Sequence, residues 1–429
     1  MSTPSRPLPA PAASGRAAWL PFWKLVLIQS QNSFNEKGVQ FLLIPLGVWL
    51  LARGEGMGDL KYPLSAIIVL PFVLFSPLAG WLSDRNPKAR VIQAMAAVQV
   101  LVLGGMAWCL YAHNLAGALA WFCLFSIQAT FFSPSKKGLV KDMIGTAHLG
   151  FASGVLEMAS LFALLVGQIG VFLWFHQLRG AGHDGWDAAF WPCFLFFLLT
   201  IPVALMSLTL PRYAPLAREP FSSRLFYAHF KQLGLLWKNR TLRVSEAGVG
   251  YFWFLGGTVL LMTLQMAEAH TVGDEEFAWV GAILMAWLSG GSVAGGVLAS
   301  LLCKGSIKMS VATAGGIGMT AGCAALALTP YGTPLFYAFL FLTGLTASAF
   351  LVPLNARLQD SADNDKRGDV IAAGNLVDCL LGLLAVGFQW VMMQALAPHA
   401  QFVVMASLCA LVTVYVVGNR GLLSPRDPA

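Results

Sequence analysis

Four acidic residues lie in or at the ends of long apolar runs, where an ionisable side chain is costly and marks a functional position by default. They are Glu36, Glu157, Glu246 and Asp378. Glu36 lies one helical turn after Asn32, with Asn35 and Lys37 beside it. Because adjacent helix residues point about 100° apart, Glu36 and Lys37 cannot both face one partner. A polar cavity that binds a cargo is favoured over a locked ion pair.

The other ionisable positions leave alternatives open. Lys136 follows Pro134 at the end of the fourth apolar run and is either a cargo ligand or an ordinary basic residue at a membrane boundary. Glu157 can line the path or bind a partner helix, and Asp378 can face the cavity or a neighbouring helix. Glu246 follows two arginines closely and is interpreted as a structural salt-bridge partner.

The segment 80–90 carries the most specific pattern of the chain. We expect Gly80 to let two helices approach closely and Asp84 to face the positive end of a neighbouring helix. Arg85, Lys88 and Arg90 can pair with acids of the opposite half, which would make the segment a latch that holds one conformational state. The plainer alternative is an ordinary basic loop.

The composition identifies the elements that must position these residues. Among 429 residues, 57% are hydrophobic and 11% are charged, and the mean hydropathy is +0.69. Soluble domains have roughly 45–50% apolar and about 25% charged residues. The outer face must therefore be lipid, which excludes a soluble enzyme, a nucleic-acid-binding domain and a secreted disulfide scaffold.

About 20 consecutive apolar residues cross a bilayer as a helix, and the sequence contains twelve such stretches. They cover approximately residues 20–51, 63–83, 90–112, 116–134, 148–175, 189–210, 244–267, 277–301, 309–328, 335–357, 370–396 and 401–418. Glycine-rich runs in the eighth and ninth stretches predict close helix packing. The predicted fold class is an all-α membrane protein.

The basic residues orient these spans. Nearly all of the 27 lysines and arginines fall on one side, whereas Arg53, Lys61 and Arg179 fall on the other. The positive-inside rule then predicts that both termini are cytoplasmic. The predicted organisation is a disordered tail (1–18), a six-helix bundle (19–210), a basic linker (211–243), a second six-helix bundle (244–418) and a cytoplasmic tail (419–429).

Internal similarity supports two equivalent halves. Ser133-Pro134-Ser-Lys136 has a counterpart in Val352-Pro353-Leu-Asn355, and Ala152-Ser-Gly154 has one in Ala373-Gly374-Asn375. The separation is about half the chain in both cases. A duplicated six-helix unit predicts two pseudo-symmetric bundles that rock around a central path, as in secondary transporters.

The Gly-x-Leu-x-Asp-Arg spacing of segment 80–90 resembles the signature loop of the major facilitator superfamily, and the twelve spans in two halves fit that family. Several shorter stretches resemble the bacterial lysophospholipid transporter family within it. They are Ser33-Phe34-Asn35-Glu36, Phe132-Ser133-Pro134-Ser135-Lys136, Gly154-Val155-Leu156-Glu157, Val352-Pro353-Leu354-Asn355-Ala356 and the run from Arg367 to Asn375.

The resemblance implies movement of lysophospholipids, chiefly lysophosphatidylethanolamine, from the outer to the inner leaflet of the bacterial inner membrane by alternating access. A cytoplasmic acyltransferase or acyl-carrier synthetase would be the partner that rebuilds the diacyl lipid. The resemblance places the family's polar residue of the first helix at Glu36 and its lysine of the fourth at Lys136. Together with the polar residues singled out above, the predicted binding set is Glu36, Asn32, Asn35, Lys136, Glu157, Asn355, Asn375 and Asp378, with Gly80, Asp84, Arg85, Lys88 and Arg90 as predicted gating residues. We expect a monomer that is not an enzyme and needs no metal or cofactor.

The chain also departs from that family. The family's arginine in the seventh helix falls at Leu260, and further amides after Asn375 are replaced by Leu376-Val377-Asp378. Pro87 stands where the signature loop has a glycine. One alternative is therefore a proton-coupled transporter of another small amphipathic solute, with Glu36 or Glu157 titrating. Another is a membrane module that recruits a lipid-synthesis enzyme through the basic linker.

Overall fold

A computed structural model of the chain describes residues 16–145, 149–214, 236–271, 273–304, 306–361 and 367–423, together with Phe230, Leu233 and Gly234. Within these residues all regular structure is helical. The helices are Arg16–Ala52 (α1), Lys61–Arg85 (α2), Lys88–Tyr111 (α3), Leu115–Ile144 (α4), Leu149–Gly180 (α5), Gly185–Ser207 (α6), Arg240–Ala269 (α7), Asp274–Leu302 (α8), Met309–Leu328 (α9), Pro334–Asp360 (α10), Arg367–Ala395 (α11), Pro398–Gly418 (α12) and Arg420–Leu423 (α13).

Each of the twelve predicted spans falls on one of the twelve long helices, so the predicted fold class is confirmed. Eleven helices, α2 to α12, are long and apolar enough to cross a membrane. The remaining one, α1, spans 37 residues but has a polar run from Gln29 to Lys37 in its middle. That polar run lowers its hydropathy and is the part of the helix in which the sequence placed the cargo site.

Capping side chains, proline and glycine mark the ends of several of these helices. The side chain of Asn114 accepts a hydrogen bond from the backbone N–H of Gly117 and caps α4. Asn239 caps α7 in the same way, and Thr333 precedes Pro334 at the start of α10. Gly145 ends α4 with a φ of 71°, which residues other than glycine rarely adopt.

The helix α4 is longer than the hydropathy pattern predicts, because it continues through a proline. The fourth span was expected to end at Pro134, whereas α4 runs on to Ile144. The helix α10 also continues past a proline, Pro353, as its predicted span of 335–357 requires, and it ends at Asp360. Both prolines lie at the same distance from the start of their helix, which agrees with the predicted internal duplication. Lys136 is therefore inside a helix, two turns before its end.

The predicted tails and linker are described only in part. Residues 1–15, 215–229 and 424–429 lie outside the described residues. Where the structure does describe these regions, α1 begins at Arg16, inside the predicted tail, and α7 begins at Arg240, inside the predicted linker. The division into two six-helix bundles at these boundaries stays a prediction.

The chain forms two compact units. Unit 1 contains Met1–Gln40, Phe75–Gln168 and Ala189–Phe221, as far as these are described. Its apolar core joins buried side chains of α1, α3, α4 and α5. Members of that core are Phe22, Leu25, Ile28, Ile92, Phe132, Leu139, Val140, Met143, Ala152 and Leu156.

Unit 2 contains Phe41–Leu74, Ile169–Ala188 and Ser222–Ala429, as far as these are described. It combines one end of α1, α2 and α5 with the second half of the chain. Close packing of its glycine-rich helices is confirmed: a Cβ on Gly291 or Gly295 of α8 would lie 2.0 Å from the carbonyl oxygen of Phe341 or Leu345 of α10. Only glycine permits this contact between backbones.

Candidate functional site

The central part of α1 carries a continuous polar band that lies in unit 1. Gln29 donates to the hydroxyl of Ser33 over 2.9 Å, and Gln31 donates to the amide oxygen of Asn35 over 2.9 Å. These i to i+4 contacts align polar groups along the helix. The band runs from Gln29 to Gln40, about 16.5 Å along the helix axis at 1.5 Å per residue.

Glu36 lies within this band, half-buried, and the charges of Lys37 and, more weakly, of Lys136 on α4 act on its carboxyl group. Its sequence neighbour Lys37 directs its ammonium group along its own helix, where it donates to the amide oxygen of Gln40 over 2.9 Å. Glu36 and Lys136 both belong to unit 1 and lie within electrostatic range of each other. Their joint role in binding a cargo stays a prediction.

The two asparagines near Glu36 differ in their surroundings. Asn32, one turn before Glu36, is 4% exposed, and its side-chain oxygen has no hydrogen-bond partner in the described structure. Asn35 is completely buried and donates to the hydroxyl of Thr200 of α6 over 2.8 Å. The amide of Asn35 therefore stabilises the contact between α1 and α6. The side-chain oxygen of Asn32, in contrast, can still accept a hydrogen bond from a ligand.

The other predicted binding residues lie in α5, α10 and α11. The side chain of Glu157 lies outside the described residues. Asn355 is exposed, and its oxygen accepts a hydrogen bond from Gln359 over 3.4 Å. Asn375 is exposed as well. Asp378 faces α7: one of its oxygens would lie 3.7 Å from a Cβ placed on Gly250.

Glu246 does not form the salt bridge that the sequence predicts. Arg240 donates to the side chain of Asn419 over 3.0 Å, and Arg243 donates to the backbone oxygen of Trp237 over 3.5 Å. Both arginines lie earlier on α7 and point away from Glu246, which is 4% exposed. The prediction is wrong because Glu246 faces α11, where Gly374 leaves room for its carboxyl group.

The signature segment holds unit 1 together through its lysine. Lys88 begins α3, is 6% exposed and forms an ion pair of 2.7 Å with Asp142 near the end of α4. Gly138 of α4 makes room for the lysine stem, since a Cβ there would lie 2.3 Å from the Cε atom of Lys88. In this structure Lys88 therefore pairs within its own half of the chain, not with an acid of the opposite half.

The remaining residues of the segment are more loosely held. No described atom lies within 4 Å of a Cβ placed on Gly80, so the expected close helix approach at this glycine is wrong. Asp84 and Arg90 are exposed, and the guanidinium group of Arg85 lies 5.4 Å from the ring centre of Trp81. The α2 helix continues to Arg85, so only Asn86 and Pro87 separate α2 from α3.

A second group of charged residues, the charge cluster, lies in unit 2 and consists of Asp59, Lys61, Arg179, Glu268 and Asp274. Lys61 begins α2, is 1% exposed and forms ion pairs with Asp59, at 3.1 Å, and with Glu268 at the end of α7. Arg179 at the end of α5 pairs with Asp274 at the start of α8. These pairs connect helices of the first half to helices of the second half.

Aromatic and amide side chains add further contacts between helices of the first and second halves of the chain. The rings of Phe41, Phe172 and Phe277 pack in sequence, with centres 5.6 and 5.8 Å apart. Tyr62 of α2 donates to the side-chain oxygen of Gln389 of α11 over 2.5 Å. Gln389 in turn donates to Gln265 of α7 over 2.9 Å. Segments of α1, α2 and α5 are thereby fastened to α7, α8 and α11 at this end of the helices.

Sequence analysis missed the charge cluster, although it contained a signal for it. Lys61 and Arg179 are two of the three basic residues on the side that the positive-inside rule leaves nearly free of cations. A cation on this side of the membrane therefore indicates a structural or functional role. Acidic residues that can pair with it lie at the end of α7 and at the start of α8. The pairing itself joins residues separated by 95 and 207 positions, and no local pattern encodes that.

Comparison with known proteins identifies the class. The family model described as Major Facilitator Superfamily matches residues 39–386. The chain therefore belongs to the major facilitator superfamily, a family of membrane transporters, and this agrees with the apolar helices and the repeated halves. Its fold is similar to that of a peptide transporter POT in complex with sulfate, with a TM-score of 0.68, 12% identity and coverage of 94% of this chain and 95% of that one.

Particular relatives within the superfamily carry a more specific name. The chain is 28% identical over 367 residues to the lysophospholipid transporter LplT of Enterobacter sp. (strain 638), covering 84% of this chain and 85% of the relative. It is 27% identical over 374 residues to the protein of the same name from Salmonella agona, covering 85% and 86%. The resemblance inferred from short motifs is thus confirmed over most of the chain.

Proposed function

We propose that this chain transports lysophospholipids, chiefly of the lysophosphatidylethanolamine type, from the outer to the inner leaflet of the bacterial inner membrane. The observation that carries the proposal is the polar band of α1, which places Glu36 within electrostatic range of Lys136 of α4. The names of the relatives supply the cargo class, and the pair supplies a chemical reason for it.

The charges of this pair complement a zwitterionic headgroup. The phosphate of lysophosphatidylethanolamine carries a negative charge that Lys136 can bind, and its ammonium group can bind to Glu36. The free oxygen of Asn32 offers a further hydrogen bond to the ammonium group. Without such partners, stripping water from a charged headgroup costs many kcal/mol. Binding therefore replaces the hydration that the cargo loses in the membrane.

Alternating access requires contacts that close one end and later open. We assign this role to the charge cluster and to the Phe41–Phe172–Phe277 stack, because both join helices of the two sequence halves. From the distribution of basic residues we infer that this end faces the periplasm and that both termini are cytoplasmic. Lysolipid delivered to the inner leaflet would then be substrate for a cytoplasmic acyltransferase or acyl-carrier synthetase.

The proposal is tested by reconstituting the purified full chain into vesicles that contain lysolipids labelled with a fluorophore on the acyl chain. A membrane-impermeant reductant destroys the fluorophore in the exposed leaflet, and the rate of leaflet exchange follows from the fraction that becomes accessible. We expect exchange of the ethanolamine lysolipid to exceed that of protein-free vesicles by at least tenfold. A neutral lipid of the same acyl chain should show no acceleration.

The alternatives give different results in the same vesicles. A proton-coupled transporter of another amphipathic solute would leave lysolipid exchange at the protein-free rate, and its uptake would collapse when an ionophore dissipates the pH gradient. A recruiting module would bind the acyl-transfer enzyme but move no lipid. Exchange that is equally fast for every headgroup would contradict headgroup recognition by Glu36 and Lys136.

A further inference from the structure

Glu246 is a buried acid that has no counter-charge among the described residues. The residue is 4% exposed, and neither carboxyl oxygen has a hydrogen-bond partner in the part of the chain that the structure describes. An ionised carboxylate in such surroundings is strongly unfavourable unless a cation or hydrogen-bond donors compensate it. A neutral, protonated carboxyl group avoids that cost.

The carboxyl group lies in the contact between α7 and α11. A Cβ on Gly374 of α11 would lie 2.8 Å from one carboxyl oxygen of Glu246, so the absence of a side chain at Gly374 makes room for the acid. Asp378 lies one helical turn further along α11, and its carboxyl group interacts electrostatically with Glu246. Two acids from two packed helices therefore lie close to each other.

Charged groups on the helices around this pair point elsewhere. Arg240 and Arg243 of α7 are engaged with Asn419 and with the backbone of Trp237. On α10, the guanidinium group of Arg357 donates to Asp360 over 2.7 Å. In the described part of the chain, none of these three arginines forms an ion pair with Glu246.

The other titratable groups to consider are a thiol on α12 and two side chains near the start of α11. On α12, the thiol of Cys409 accepts a hydrogen bond from the hydroxyl of Tyr251 over 3.2 Å. The side chains of Arg367 and Asp369, near the start of α11, lie outside the described residues. Nearly two helical turns, about 10 Å at 1.5 Å per residue, separate Arg367 from Gly374 along α11.

We propose that Glu246 and Asp378 form a proton-binding site: Glu246 carries a proton while α7 and α11 are in contact at Gly374. The proton comes from bulk water and returns to it, and its departure leaves two carboxylates that repel each other. Proton release therefore weakens the α7–α11 contact at this level. The site is separate from the cargo site of unit 1, and its existence does not depend on which cargo the chain carries.

The site is tested without cargo by infrared spectroscopy of the purified full chain in lipid. The stretching band of a protonated carboxyl group is followed as the pH is raised in sodium-free buffer. We expect a band that persists at neutral pH and disappears in Glu246→Gln. In Asp378→Asn the band should remain but be lost at a pH lower by about one unit or more, because the neighbouring negative charge is gone.

Matched variants keep the result interpretable. Glu36→Gln removes a half-buried acid of unit 1, and the band assigned to Glu246 should be unchanged. Gly374→Ala should shift that band, since the new Cβ displaces the carboxyl group, and this variant tests the site even if Glu246→Gln does not fold. The proposal is overturned if no band at neutral pH responds to Glu246→Gln or to Gly374→Ala. It is also overturned if sodium, at constant pH, is what discharges the site.

Discussion

The ammonium group of Lys88 lies 2.7 Å from the carboxylate of Asp142, and this ion pair fastens the start of α3 to the last turn of α4. The lysine belongs to the signature segment that sequence analysis interpreted as a latch toward the other half of the chain. Its partner in this structure is instead within unit 1. The pair therefore stabilises the unit itself, and gating by this segment stays a proposal.

We expect Asp142→Asn to lower the stability of the protein by about 1–3 kcal/mol, because it leaves the 6% exposed Lys88 without its partner. The measurement is thermal unfolding in detergent, followed by intrinsic fluorescence. Arg90→Gln is the control, since Arg90 is an exposed basic residue of the same segment. Equal unfolding temperatures for Asp142→Asn and the parent would contradict a stabilising pair.

We expect Lys136→Ala to reduce ethanolamine-lysolipid exchange by about tenfold or more, the equivalent of losing one hydrogen bond to a charged group. Lys137→Ala, the matched control, removes an exposed lysine next to it and should exchange lipid at the parental rate. If both variants lose activity equally, the effect is one of general charge near the membrane and not of cargo binding.

The charge cluster should couple Lys61 to Glu268. Lys61→Met and Glu268→Gln are each expected to change thermal stability and exchange rate, and the double variant should resemble either single one. A double-mutant cycle then gives a coupling energy of about 1–3 kcal/mol. Arg53→Ala is the control, because Arg53 lies 4.3 Å from the ring centre of Trp49 and outside the cluster. Strictly additive effects would show that Lys61 and Glu268 do not act as a pair.

Glycine packing offers a test within a single helix. Gly291→Val should destabilise the protein by about 1–3 kcal/mol or prevent folding, because its side chain would enter the backbone of α10 at Phe341. Gly296→Val is the control, since no described atom lies within 4 Å of a Cβ at that position. The comparison uses expression yield and unfolding temperature. A Gly291→Val protein as stable as the Gly296→Val protein would exclude a tight α8–α10 contact.

Much of the fold could be predicted from the sequence, because lipid imposes a uniform rule: a span needs a long apolar run. Every predicted stretch falls on a helix. The errors occur where a local signal and the surrounding structure disagree. Pro134 suggested the end of a helix, yet α4 continues to Ile144. Proline lacks a backbone N–H, so the helix loses the hydrogen bond that this group would donate. The turns on either side of Pro134 remain helical.

The candidate site was predictable in part. Glu36 and Lys136 stood out because charges in apolar runs are costly, and their role in binding a cargo stays a prediction. Contacts between distant parts of the chain were not predictable. Glu246 was assigned to nearby arginines since sequence analysis sees only neighbours along the chain, whereas its true surroundings are set by a glycine on α11.

The stack of Phe41, Phe172 and Phe277 constrains how this protein can be made. Its three rings come from α1, α5 and α8. The stack can form only after Phe277 is synthesised, and more than half of the polypeptide is made between Phe41 and Phe277. At about 5–20 residues per second this interval lasts on the order of ten seconds or more. During that time the nascent first helices must hold these apolar faces in lipid or against an insertion factor, which makes unit 2 the last part to assemble.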